Sequence, residues 1–150
     1  LGNVPFSWSM VLLSQVVSQV KNKNSDLSEK NLLSLSYGKI KRKPIDTTEG
    51  LLPASFDGYN IIEANDIVLR LTDLQNDHKS LRTGLVKNRG IITSAYVGLI
   101  VKNMNSEYTQ LILHSYDVMK VFYGMGGGLC QSMSYNDIAN VYIPVPTLSE

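Results

Sequence analysis

A change of hydrophobic period near residue 105 constrains this chain more than any other feature. Up to residue 101, apolar residues come in short runs rich in Val, Ile and Leu, and Gly, Asn, Asp or Pro soon breaks each one. Runs of that length suit strands better than helices. The strand candidates are 31–37 ending at Gly38, 59–62 and 66–71 around an Asn65-Asp66 turn, 83–87, and 91–101. Between the last two, Asn88-Arg89-Gly90 has the spacing of a hairpin turn. Segment 8–20, apolar with interleaved Ser and Gln, reads as a strand or a short helix leading into polar 21–30. Segment 48–58 holds Gly50, Pro53 and Gly58 and reads as loop, and polar 74–80 as a loop or a short turn of helix.

After residue 105 the period becomes helical. Tyr108, Leu111, Ile112, Ser115, Met119 and Phe122 recur at spacings of three and four. That pattern predicts a helix over 106–123 with one apolar stripe. Asn105 or Ser106 can cap its start, and Gly124 can supply the left-handed residue that ends it. Ser134-Tyr135-Asn136-Asp137 signals a second, short helix, with Met133 and Ile138 placed to form a hydrophobic staple. A last strand, 141–146, is closed by Pro144 and Pro146. Strands in the middle and helices late predict an α+β fold rather than a βαβ alternation, and 150 residues make a single globular domain.

Composition narrows the class. The chain is 43% hydrophobic and 18% charged, which is ordinary for a globular domain. No apolar run reaches the roughly 18 residues of a membrane span, and the first residues lack the basic and apolar regions of a secretory signal. The single Cys130 excludes an internal disulfide and a multi-cysteine zinc site. Together these predict a cytoplasmic protein.

Most catalytic chemistry finds no matching motif. The stretch from Phe122 to Gly128, with Gly124, Gly126, Gly127 and Gly128, superficially resembles a nucleotide or S-adenosylmethionine loop. Such a loop must follow a strand and open a helix within a βαβ unit, whereas this one follows a predicted helix near the end of the chain. There is no phosphate-binding P-loop and no HExxH pair, and His78 and His114 lie far apart. Cys130 has no neighbouring His, the carboxylates are scattered, and no two prolines are adjacent, as an amino-methyltransferase motif requires. No cofactor, metal or catalytic residue is therefore expected.

The charge distribution points instead to nucleic acid. Residues 1–103 hold 13 of the 14 Lys and Arg and carry +4, whereas 104–150 carry −3. Lys39-Ile40-Lys41-Arg42-Lys43 is a dense basic run with no acid between Lys30 and Asp46. Local basicity of this kind suits a phosphate backbone. Lys39, Lys41, Arg42, Lys43, Lys79, Arg82 and Arg89 are the candidate phosphate contacts. The polar stretch 70–82 is rich in side chains that read base edges, since Arg pairs with guanine and Asn or Gln with adenine. Arg70, Thr72, Asp73, Gln75 and Asn76 are the candidate base readers. Gly126, Gly127, Gly128 and Gln131 form a candidate backbone turn near DNA, because glycine permits a sharp turn and a close approach.

Ordered fragments along the whole chain resemble the target-recognition domain of type I restriction–modification specificity subunits. Val4-Pro5-Phe6-Ser7-Trp8, followed by Leu12-Leu13, is similar to that domain's opening Pro-x-x-Trp and Leu. Asn65-Asp66-Ile67-Val68-Leu69-Arg70 is similar to its middle strand, with Asn65 where Gly is commoner. Gly126-Gly127-Gly128, Gln131-Ser132-Met133-Ser134, Asp137-Ile138 and Ile143-Pro144-Val145-Pro146 match its glycine turn, polar link, short helix and Ile-Pro-x-Pro close.

The resemblance implies an α+β domain with a curved, mixed β-sheet. It implies non-catalytic reading of one half of a bipartite double-stranded DNA target, with methyltransferase (modification) and restriction subunits as partners. It also implies that 1–150 is part of a longer two-domain subunit. Two other readings stand beside it. One is a recognition fragment of a fused restriction–methylation enzyme whose catalytic parts lie elsewhere. The other is a protein-interaction module that uses the Met- and Tyr-rich C-terminal region.

Overall fold

The computed structural model describes residues 3–45, 55–74, 79, 81–125 and 132–147. Its strands are β1 (Ser9–Leu12), β2 (Val17–Gln19), β3 (Leu33–Ser36), β4 (Lys39–Arg42), β5 (Asn60–Ile62), β6 (Ile67–Leu69), β7 (Thr83–Leu85), β8 (Gly90–Ile92), β9 (Val97–Val101) and β10 (Tyr142–Val145). The helices are α1 (Ser106–Val118) and α2 (Tyr135–Ile138), with 3-10 turns at Leu13–Gln15 and Val121–Gly124. A four-stranded sheet of order β2-β9-β6-β7 is accompanied by the pairs β1–β10, β3–β4 and β5–β8. This is the α+β architecture expected. Every ladder is antiparallel, and the mixed character is confined to one parallel bridge, Leu32 to Ile91.

Successive strand residues point to opposite faces, and both faces of the central sheet are covered. Ile67 and Leu69 of β6 join Leu99, Ile112, Leu113, Phe122, Ile138 and Ile143 in the larger core, under α1. Val68 between them joins Leu33, Leu35, Ile62 and Ile92 in a second core, under the β3–β4 hairpin. Covering both faces explains why β6 reads as an unbroken apolar run. Glycines let the layers close. A Cβ on Gly84 would lie 2.8 Å from Leu35, and one on Gly90 would lie 2.4 Å from the Asn31 carbonyl oxygen. Gly90→Ala should therefore cost about 1–3 kcal/mol, read as a lower denaturant midpoint at unchanged slope.

The expected hairpin turn at 88–90 does not form. β7 pairs with β6 and β8 with β5, while Val86 exchanges backbone bonds with Asn65 and Asp66 between the two ladders. Residues 60–69 and 83–92 are thus the two arms of one long bent hairpin. The residues expected to reverse the chain continue along it, and residues 70–74 and 81–82 lie at its tip. Segment 8–20 is neither a single strand nor a helix, because the turn at 13–15 passes the chain from β1 to β2.

The long helix is shorter than its period predicts. Asn105 caps it, its side chain accepting from the Tyr108 N–H at 2.9 Å. It ends at Val118, and Lys120 (φ 63°), rather than Gly124, takes the left-handed conformation before a 3-10 turn. Its buried face is Thr109, Ile112, Leu113, Tyr116 and Asp117, which leaves Leu111 and Met119 exposed. Polar contacts rotate the helix away from its apolar stripe. Asp117 turns inward, and Tyr108 and Tyr116 donate to the carbonyls of Pro144 and Tyr142. Those hydroxyls, with Pro144 lacking an N–H, close the outer edge of β10. The short helix α2 forms as expected, its Asp137 carboxylate accepting from the Ser134 N–H at 2.7 Å, with Met133 and Ile138 buried.

Candidate nucleic-acid interface

The basic run forms a strand. Tyr37 (φ 48°) and Gly38 (φ 75°) make a two-residue turn with both residues left-handed, the turn that suits a tight hairpin. The register sets Ser34 opposite Lys41 and Ser36 opposite Lys39. Strand alternation places Lys39 and Lys41 on one face with these serines. Leu35 and Ile40 share the other face and lie against Gly84. Lys39, Lys41, Arg42 and Lys43 are exposed, and among the described residues their side chains form no hydrogen bond or ion pair. A solvated lysine face with only serines between the charges is a surface that can take phosphate oxygens without first breaking an internal bond.

Arg82 does not belong to that surface. It is 0% exposed, although the sequence places it among the candidate phosphate contacts. One guanidinium nitrogen donates to the carbonyls of Arg70 (3.0 Å) and Thr72 (2.9 Å), and Nε donates to the Tyr123 hydroxyl (3.2 Å). Its backbone N–H donates to the Asp117 carboxylate at 2.6 Å. Burial raises the Asp117 carboxyl above its ordinary value, opposed by that N–H and by the charges of Arg82, His114 and Lys120. Arg82 is therefore the internal support of the hairpin tip, with its donors turned inward.

Arg89 is also committed. Its guanidinium pairs with Glu29 at 3.1 Å and Glu63 at 2.7 Å, at the bend of the long hairpin. The Asn31 N–H, with help from Arg89, holds the Glu29 carboxyl below its ordinary value. Arg82 is buried and Arg89 lies in an exposed pair of ion bridges, and a one-dimensional reading has no means of seeing either set of partners.

The tip gathers several of the expected site residues. Arg70, Thr72 and Asp73 are partly exposed around the Arg82 guanidinium, with Asp73 in a left-handed conformation (φ 56°). The β3–β4 turn sits beside them, because a Cβ on Gly38 would lie 3.2 Å from Leu81. The Met133 N–H donates to the Leu71 carbonyl at 2.8 Å, which ties the chain ahead of α2 to the same tip. Lys79 is exposed. Gln75, Asn76, Gly126, Gly127, Gly128 and Gln131 lie outside the described residues. Sequence reading missed Ser34, Ser36 and the turn residue Tyr37, 73% exposed. The alternations Ser34-x-Ser36 and Lys39-x-Lys41 across a Tyr-Gly pair were the signal for a ribbon face.

Among the described residues no helix is long and apolar enough to cross a membrane. No protein-family model matches the chain, and no curated protein matches it significantly. Solved structures do. The HsdS subunit from Thermoanaerobacter tengcongensis superposes with a TM-score of 0.59 at 14% identity, over 99% of this chain and 35% of that one. A chain from a structural study of complex assembly and conformational transition in the type I restriction–modification system gives 0.58 at 14%, over 99% and 36%. The type I S subunit from M. genitalium gives 0.54 at 12%, over 95% and 35%. At these identities the likeness is one of fold, and it agrees with the resemblance read from the sequence. Along nearly its whole length, this chain has the fold found over about a third of type I restriction–modification S subunits.

Proposed function

We propose that this chain is a target-recognition domain of a type I specificity subunit, reading one half of a bipartite site in double-stranded DNA. The observation that carries the proposal is the fold likeness to S subunits over 99% of the chain. The free cations of the β3–β4 hairpin support it. In this reading the domain is one part of a longer two-domain subunit and works in the cytoplasm without chemistry of its own. Its partners are the methyltransferase (modification) and restriction subunits of the same system, which supply catalysis.

Lys39, Lys41, Arg42, Lys43 and Lys79 contact phosphates. Arg70, Thr72, Asp73, Gln75 and Asn76 read bases, and Gly126–Gly128 and Gln131 approach the DNA backbone.

Duplex binding measured across salt concentrations tests this. Four phosphate contacts from the 39–43 run give a log–log slope of about −3.6 or steeper. Lys41→Ala should flatten the slope by about 0.9 and weaken cognate and random duplexes alike. Gln75→Ala or Asn76→Ala should cost about 1–3 kcal/mol on the cognate site and far less on random DNA. Duplex binding that is absent, or indifferent to salt, refutes the reading.

A further inference from the structure

Strand β4 carries cations on both of its faces. Lys39 and Lys41 share the outer face with the serines, whereas Arg42 alternates to the side of Ile40 and stands opposite Leu33. There it lines a cleft of about 370 Å3 with Asn31, Leu33, Ile40, Lys87 and Asn88. Lys87 and Asn88 come from the bend between β7 and β8, far from the basic run in sequence, and both are exposed. Neither the Lys87 nor the Arg42 side chain has a hydrogen bond or ion pair among the described residues.

The polar wall is fixed as well. Asn31 donates from Nδ2 to the Arg89 carbonyl at 2.7 Å, while its buried Oδ1 has no hydrogen-bond partner among the described residues. The neighbouring Glu29–Arg89–Glu63 cluster sets two carboxylates against one guanidinium, and Arg42 with Lys87 outweighs that single excess charge.

We propose that this cleft seats a phosphodiester group, distinct from the phosphates on the outer lysine face. Arg42 and Lys87 bracket the anion, and the Asn88 amide donates to it. Asn31 Oδ1 takes one hydrogen of a water whose other hydrogen goes to a phosphate oxygen. Apolar Leu33 and Ile40 beneath limit competing hydration. The β3–β4 ribbon then has phosphates on both sides, the arrangement of a two-stranded ribbon lying in a duplex groove. The inference rests on the DNA-binding reading and adds Lys87 and Asn88 to its contacts.

The test has two readouts on the whole chain. Inorganic phosphate is titrated into isotope-labelled protein while the Asn31 and Asn88 side-chain amide resonances are followed, and duplex binding is measured across salt. Saturable amide shifts are expected in the wild type and none in Lys87→Gln. Lys87→Gln and Arg42→Gln should each flatten the salt slope by about 0.9, with the thermal midpoint unchanged. If both variants keep the wild-type slope while Lys41→Ala loses its share, the cleft is not a phosphate seat. If the wild type binds no duplex but phosphate still shifts those amides, the cleft stands and the proposed function falls. Silent amides overturn the cleft whatever the duplex does.

Discussion

Replacing Arg82 by Met should lower the unfolding free energy by about 3–5 kcal/mol, as breaking a buried charge network does. The substitution keeps much of the side-chain length and removes every guanidinium donor. The Arg70 and Thr72 carbonyls and the Tyr123 hydroxyl lose a partner, and Asp117 loses the cation that favours its charged form most. Denaturant titration measures the loss directly. Its pH dependence identifies the cause. The folded Asp117 carboxyl already titrates above its unfolded value of 3.8. Its contribution to stability is therefore full below 3.8 and is lost as pH rises through the folded value. Removing Arg82 raises that folded value further. The deficit of Arg82→Met should then be largest near neutrality and shrink as pH falls and Asp117 takes a proton. Adding Asp117→Asn should recover part of the loss at neutral pH. A deficit that is constant with pH would mean lost packing rather than an abandoned carboxylate.

Phe122→Ala should cost about 3–5 kcal/mol, the usual range for emptying a buried aromatic site. The expected helix over 106–123 would have carried Phe122 on the same stripe as Met119. The structure separates them, because the left-handed Lys120 swings the chain into a 3-10 turn. Phe122 then becomes fully buried in the larger core while Met119 is 45% exposed. Met119→Ala is the internal control and should stay within about 0.5 kcal/mol. Equal losses at the two positions would restore the continuous helix. Phe122→Leu fills much of the space and should lose well under half as much as the alanine.

Local signals in this chain were legible where the backbone alone decides. The Asn105 cap, the Ser134–Asp137 box and the Tyr37-Gly38 region as a strand end appear where expected, whereas the run 91–101 divides into β8 and β9 of different sheets. Pairing was not legible. Asn88-Arg89-Gly90 has turn composition, yet the glycine is required by the nearness of Asn31 and the chain does not reverse there. The helix face differs from the apolar stripe because hydrophobicity sees Leu111 and Met119 but not the hydrogen bonds that draw Tyr116 and Asp117 inward. The site divides in the same way. Density of charge found the 39–43 run, but Arg42 and Lys87 meet only through tertiary contact. Arg82 looks in sequence like its exposed neighbours, and only its partners show that it is buried.

The pairing of β1 with β10 has one more consequence. Ser9 lies across from Val145, so the chain enters and leaves the fold through adjacent positions of a single antiparallel ladder, about 5 Å apart between Cα atoms. Everything between those positions is spanned by one doorway. A host polypeptide that opened at that point would need to part by little more than the spacing of neighbouring residues to accept the whole unit. Such geometry would let the stretch between Ser9 and Val145 be replaced by one of different sequence while the flanking backbone kept its spacing.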